Sequence, residues 1–345
     1  MARYYPMLAV LLLPALVMLL LRWGPAQVVA GAILTDLGPP QLVQMASDQP
    51  GTQPTKKTKA ELRDAELKAR LEYGVANGLL RTVAALAIIF ALIQLISGWR
   101  SAATRPGGTP VPALERRVVI TVAVVLSTLA IAYAELQFRP DSIRAALIFA
   151  PLVEAEKAGV VSPGLAELHL TTAAQNMLIA YLAAALLLTY LAALTIDSET
   201  PMKEDDRVVG LQFVLAIGAA LFTAAILVNK SGMAFITQAL DPKRSAALIA
   251  ALNVLPDVWA LAYTGFLLTA VATAYLGIRG DKATVHPEAA AGQRIKDSPV
   301  ALRTPDGKDF KIFGWFVNLL IASAPVWLPG TLTTLLKTAL QGLPK

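Results

Sequence analysis

The chain has 345 residues, a formal charge of +6 and no cysteine, and it is 56% hydrophobic but only 16% charged. Soluble domains carry about 25% charged residues, so a water-facing globule is excluded and lipid must solvate much of the surface. The absence of cysteine rules out disulfides and thiolate metal sites, and His169 and His286, the two histidines, are too few for an imidazole metal cluster or a bis-histidine haem.

Seven stretches carry no charge: 4–21, 82–99, 118–134, 170–196, 208–229, 258–278 and 312–336. Crossing a hydrocarbon core of about 30 Å takes about 20 apolar residues. Backbone groups at mid-membrane must satisfy one another, so the runs are helices and not open strands. The expected fold is an all-α polytopic membrane bundle of about seven spans. The basic balance fits a protein facing anionic lipid, and nucleic acid is not an expected partner.

Met1–Trp23 has Arg3 and a long apolar run, but eighteen uncharged residues exceed a signal h-region of about 7–15. It reads as an uncleaved first span, kinked at Pro14. Residues 24–56 are irregular, with Pro39-Pro40, Pro50-Gly51 and Pro54, and with a short surface helix expected at 41–46. From Lys57 the pairs Lys57/Glu61, Asp64/Lys68, Glu66/Arg70 and Lys68/Glu72 stand at i,i+4, each worth about 0.2–0.5 kcal/mol to a solvated helix. No proline intervenes before the second span. One helix over 57–99 is therefore expected, about 60 Å long, its charged half projecting from the membrane with little of its own chain to pack on. Leu62, Ala65 and Ala69 on one side and Leu67, Leu71 and Val75 on another form narrow stripes suited to helix–helix contact between chains.

After a Pro/Gly loop at 106–112 comes a pattern written twice, over 100–205 and 206–280. Arg117-Val118-Val119 opens an apolar run, Ala146-Leu147-Ile148 and Pro151 mark a surface segment, and a return run ends at Tyr190-Leu191. Arg207-Val208-Val209, Ala247-Leu248-Ile249, Pro256 and Tyr275-Leu276 repeat that order. The expectation is a duplicated span–surface-helix–span hairpin over 116–197 and 206–280. A polar linker follows at 281–311, then a seventh span over 312–328 that Pro329-Gly330 ends, and a terminal surface helix over 331–340. All five tryptophans (Trp23, Trp99, Trp259, Trp315 and Trp327) fall at span ends, as in an aromatic belt. Lys and Arg divide evenly between the two faces. The 99–117 loop and the 279–311 linker are denser in unpaired positive charge, which places the N-terminus in the cytoplasm of a bacterial-type inner or plasma membrane.

Catalytic patterns are absent: no G-x-S-x-G, no Walker loop, no H-E-x-x-H, no dinucleotide fingerprint. Glu167 and His169 are an acid and an imidazole close together, but i,i+2 spacing turns them to different sides of a helix, and His169 reads as an interfacial polar residue. No cofactor and no metal are expected. Ionisable residues inside spans are costly and face a bundle interior or a cavity. Arg81 lies about two turns inside the second span, Glu135 ends the third, Lys230 ends the fifth and Asp257 begins the sixth; alternation brings them to one face with Asn77, Asn176, Asn229 and Asn253. Arg81, Glu135, Asn176, Lys230, Asn253 and Asp257 are the candidate polar site, with Arg81 expected to pair with Glu135 or Asp257. Gln94 and Gln212, near the other face, are expected to make interhelical hydrogen bonds.

Two functions fit. One is an integral subunit of a larger membrane assembly or homo-oligomer whose spans line a passage, with other membrane subunits or copies of itself, and membrane lipid, as partners. The other is a stand-alone transporter or channel using the polar face. A membrane enzyme ranks third.

Overall fold

The computed structural model describes residues 5–17, 59–104, 113–137, 149–196, 204–241, 245–285, 321, 323–332 and 334. Its elements are helices: α1 (Tyr5–Val17), α2 (Lys59–Thr104), α3 (Ala113–Gln137), α4 (Ala150–Lys157), α5 (Leu165–Leu194), α6 (Glu204–Ala239), α7 (Ala246–Val285) and α8 (323–332). Five of them, α2, α3, α5, α6 and α7, are long and apolar enough to cross a membrane, so the chain is an all-α membrane bundle. The first and seventh expected spans are described only over α1 and α8, and the segments at 41–46, 286–311 and 335–345 lie outside the described residues.

Side-chain pairs fix the helix directions. Glu66 meets Ser162, Tyr73 meets His169, Asn77 meets Asn176 and Phe90 meets Tyr190, so α2 and α5 run parallel. Tyr73 also meets Phe235, and Phe90 meets Phe213, so α6 runs the other way between them. Phe222 stacks on Tyr263 with centroids 4.9 Å apart, and Leu267 lies 2.9 Å from where a side chain at Gly218 would begin, which sets α7 antiparallel against α6. Over their most apolar windows α6 is 67% buried and α3 only 11%. α6 is thus the centre of the bundle and α3 its outer edge, held on α5.

α2 shows why the bundle closes. Leu62, Glu66, Ala69, Tyr73, Ala76, Leu80, Ala84, Ala87, Ala91 and Leu95 are all buried, each three or four residues after the last. Five of the ten are alanine, and small residues let helix backbones approach closely where lipid supplies no hydrophobic drive between helices.

The projecting half of α2 packs on its own chain, contrary to the expectation drawn from its length and charge. Leu62 is buried with Ala155, Val160 and Ala239. One oxygen of Glu66 accepts bonds from the Ser162 N–H at 2.9 Å and the Ser162 hydroxyl at 3.0 Å, while the other pairs with Arg70 at 2.6 Å. The turn between α4 and α5 therefore clasps this half of the helix. Gly159 (φ 71°) and Gly164 (φ 78°) bend that turn through left-handed geometry that costs other residues strain.

The two stretches expected to repeat, 116–197 and 206–280, differ at their surface segments. Pro151 falls in the first turn of α4, where its missing N–H costs nothing, and α4 is a separate helix. Pro256 lies inside α7, so the segment at 246–255 continues into the span instead of breaking from it. Likewise Pro329 and Gly330 sit within α8 and do not end it. Neighbouring helices re-satisfy backbone groups that proline frees in such bundles.

Glu156 caps α5 from α4, accepting the Gly164 N–H at 2.7 Å and the Ala166 N–H at 3.1 Å. Those two bonds hold its carboxyl below the ordinary carboxylate range. A depressed folded-state value means the stabilisation is present above the unfolded value of about 4.3 and is lost as pH falls through the folded one. Amide hydrogen exchange at Gly164 and Ala166 should accordingly quicken below about pH 4, and Glu156→Gln should remove that pH dependence.

Candidate functional site

Arg81 marks a boundary. The run from Thr82 to Trp99 is eighteen residues without charge, about 27 Å of helix, close to the hydrocarbon thickness of about 30 Å. Arg81 thus stands at the edge of that run, within the stretch Ala60–Ser97 that is long and apolar enough to cross a membrane. Its Nε–H donates to Asn176 Oδ1 at 3.1 Å and its Nη2 to Gln175 Oε1 at 3.0 Å. Asn176, 2% exposed, passes the network inward by donating from Nδ2 to Asn77 Oδ1. Asn77 and Arg81, one turn apart on α2, thus both meet Asn176 on α5, and Arg81 also reaches Gln175.

The expected pairing of Arg81 with Glu135 or Asp257 is not found. Asp257 Oδ1 is taken by Lys230 Nζ at 2.7 Å across α6 and α7. Glu135 is exposed near the end of α3, which touches α5 through Tyr133 and Tyr181, and it joins none of the other candidates among the described residues. Asn253 is exposed, one turn before Asp257. The structure therefore brings the six candidates together in two groups, Arg81 with Asn176 and Lys230 with Asp257, and leaves Glu135 and Asn253 apart. Gln94 and Gln212 make no interhelical hydrogen bond among the described residues, and Gln212 is exposed.

Between these groups lies a cleft lined by α2, α5, α6 and α7, with Asn176, His169, Asn229, Trp259 and Tyr263 among its walls. It holds about 50 Å³ for the centres of water-sized molecules; at about 10–15 Å³ for each, that is a handful of waters. His169 is buried at one end, ring centroids 4.8 Å from Tyr73, 5.7 Å from Phe235 and 6.1 Å from Phe149. A side chain added at Gly232 would begin 3.0 Å from the His169 ring, so glycine there makes room for the imidazole. Glu167 is exposed, on another side of the helix. Trp259 is buried in the cleft wall, whereas Trp327 is 48% exposed as a belt residue should be.

Sequence reasoning missed Gln175 and Glu66. Gln175 adjoins Asn176 in a run otherwise read as featureless, and Glu66 had been counted among solvated charges. A three–four count along α2 that kept polar residues would have found Glu66 in the buried seam. No group of three metal-ligating side chains occurs among the described residues. The arrangement offers hydrogen-bond donors beside a small, largely apolar cleft, chemistry suited to binding. No known protein family, curated protein or solved structure matches the chain.

The pairings make opposite predictions for charge reversal. Lys230→Glu alone should lower the melting temperature in detergent, and adding Asp257→Lys should restore it. Both side chains are partly exposed, at 23% and 54%, so the effect should be about 1 kcal/mol or less, a few degrees for a chain this size. Arg81→Glu should be rescued by neither Glu135→Arg nor Asp257→Arg.

Proposed function

We propose that the chain is an integral subunit of a larger membrane assembly, or of a homo-oligomer, that docks through the outer face of α2. The supporting observation is an apolar stripe beyond the charge-free run. Leu67, Leu71 and Val75 are 59%, 49% and 51% exposed and lie up to about 20 Å on the water side of Arg81 along the helix. A hydrocarbon layer of about 30 Å laid over the charge-free run 82–99 ends near Arg81, and with the bilayer so placed a partner, not lipid, covers the stripe.

Gly74 and Gly78 stand beside it, and a methyl group added at either would touch nothing within 4 Å. Glycine in a helix interior costs about 0.5–1 kcal/mol relative to alanine. Nothing in the described fold uses the space, whereas a partner helix packing closely would. In this assembly the chain crosses the membrane seven times, α1 and α8 belonging to the first and last spans. The two hairpins, 116–197 and 206–280, form its frame, and the N-terminus is cytoplasmic. The cleft holding Asn176 and Asn229 favours the second reading, a stand-alone transporter or channel, in which it would form part of a polar route.

Gly74→Leu with Gly78→Leu should leave the bundle folded, because both sites open outward, and should break the assembly. Single-particle images and light scattering in mild detergent should show the parent chain as a particle larger than its 36.5 kDa mass and the double variant as a single chain. A parent chain that is already single would remove the assembly and leave the transport reading in its place.

A further inference from the structure

Arg81 differs from the paired charges of the bundle. Lys230 and Asp257 neutralise each other, and Glu66 and Arg70 do the same farther out. Arg81 is held instead by two neutral amides, Asn176 and Gln175, and among the described residues no carboxylate pairs with it. Two amides orient a guanidinium without cancelling its charge.

The orientation is built, not incidental. A guanidinium carries five N–H donors in a rigid fork. Nε–H and one Nη2–H are engaged by the amides, which leaves Nη1 and the second Nη2–H as a free edge. Asn176 cannot swing away, because it is buried and bonded to Asn77. The side chain of Arg81 itself is exposed, so the free edge is open to an incoming group. A planar fork with two parallel donors matches a phosphate or carboxylate, and at the border of a charge-free run the abundant anion is phosphate.

We propose that Arg81, positioned by Asn176 and Gln175, is the anchor of a phosphate-binding site at the membrane boundary, taking one phosphoryl group through the free edge of its fork. The group can come from a phospholipid headgroup or from free phosphate. The membrane depth of Arg81 favours the lipid, and a ring of bulk lipids around a snorkelling arginine would show neither a stoichiometry of one nor a dependence on Gln175.

Native mass spectrometry of the full chain in detergent tests this. Phosphatidylglycerol and a galactolipid of the same chains but no phosphate would be titrated in parallel, with and without inorganic phosphate. One phosphatidylglycerol should be retained in preference to the galactolipid. Arg81→Gln should weaken that retention about tenfold, the scale of one charge-assisted bidentate contact, and Arg81→Lys should recover part of it. Displacement by inorganic phosphate would identify a site open to the free anion; its failure to displace would identify the lipid as source.

Equal retention of both lipids, or undiminished phosphatidylglycerol binding by a folded Arg81→Gln, would overturn the proposal. If Arg81→Gln does not fold, Gln175→Ala decides: it keeps the charge and loses the orientation, so binding should fall several-fold, and binding within about twofold of the parent chain would overturn the proposal.

Discussion

The bundle depends on a narrow seam of small residues along one side of α2. In lipid, apolar surface gains little by leaving its surroundings, so helices associate through close packing and the hydrogen bonds that closeness permits. Ala69, Ala76, Ala84, Ala87 and Ala91 give α2 that closeness to α5 and α6 at once. That closeness lets Asn77, Arg81, Gln175 and Asn176 meet across α2 and α5. Were α2 lined with leucine on this side, the backbones would stand farther apart and amides as short as Asn77 and Asn176 could not bridge them.

The same seam carries polar residues past the end of the charge-free run. Glu66 and Tyr73 continue it outward, Glu66 under the α4–α5 turn and Tyr73 against His169 and Phe235. α2 is therefore a single packing surface from water into lipid, with only the chemistry of its contacts changing along the way. On the water side a carboxylate takes two donors from Ser162; at the border amides hold a guanidinium; deeper, Phe90 sits edge-on to Tyr190. Donors and acceptors become scarcer inward as an unmet one becomes more costly.

The helices were legible because lipid leaves only one solution for long uncharged runs, and α3, α5, α6 and α7 follow from that constraint. The partners were less so. Pairing Arg81 with an acid assumes that a charge seeks the opposite charge, but helix direction decides which side chains can meet, and charge patterning does not encode whether α2 and α5 are neighbours. The prolines misled for a related reason. Pro256 and Pro329 read as breaks under rules for isolated helices, whereas a bundle supports the helix through them. Counting aliphatic residues alone also set Leu62 beside Ala65, although Ala65 is only half-buried and Glu66 is the seam residue.

Two charge solutions coexist at one level of the molecule. Lys230 and Asp257 sit on adjacent helices that run antiparallel, so each lies at the border of its own span and a direct pair is geometrically cheap. Arg81 faces α5, whose nearest positions offer amides and no carboxylate. Amides fix direction without neutralising, and so this corner of the bundle keeps a formal positive charge aimed outward. A carboxylate at position 175 would have stabilised the isolated chain more simply, by making a second internal ion pair. Glutamine there preserves the geometry of that pair while leaving the charge available, which is what a group meant to meet an anion from outside the chain requires.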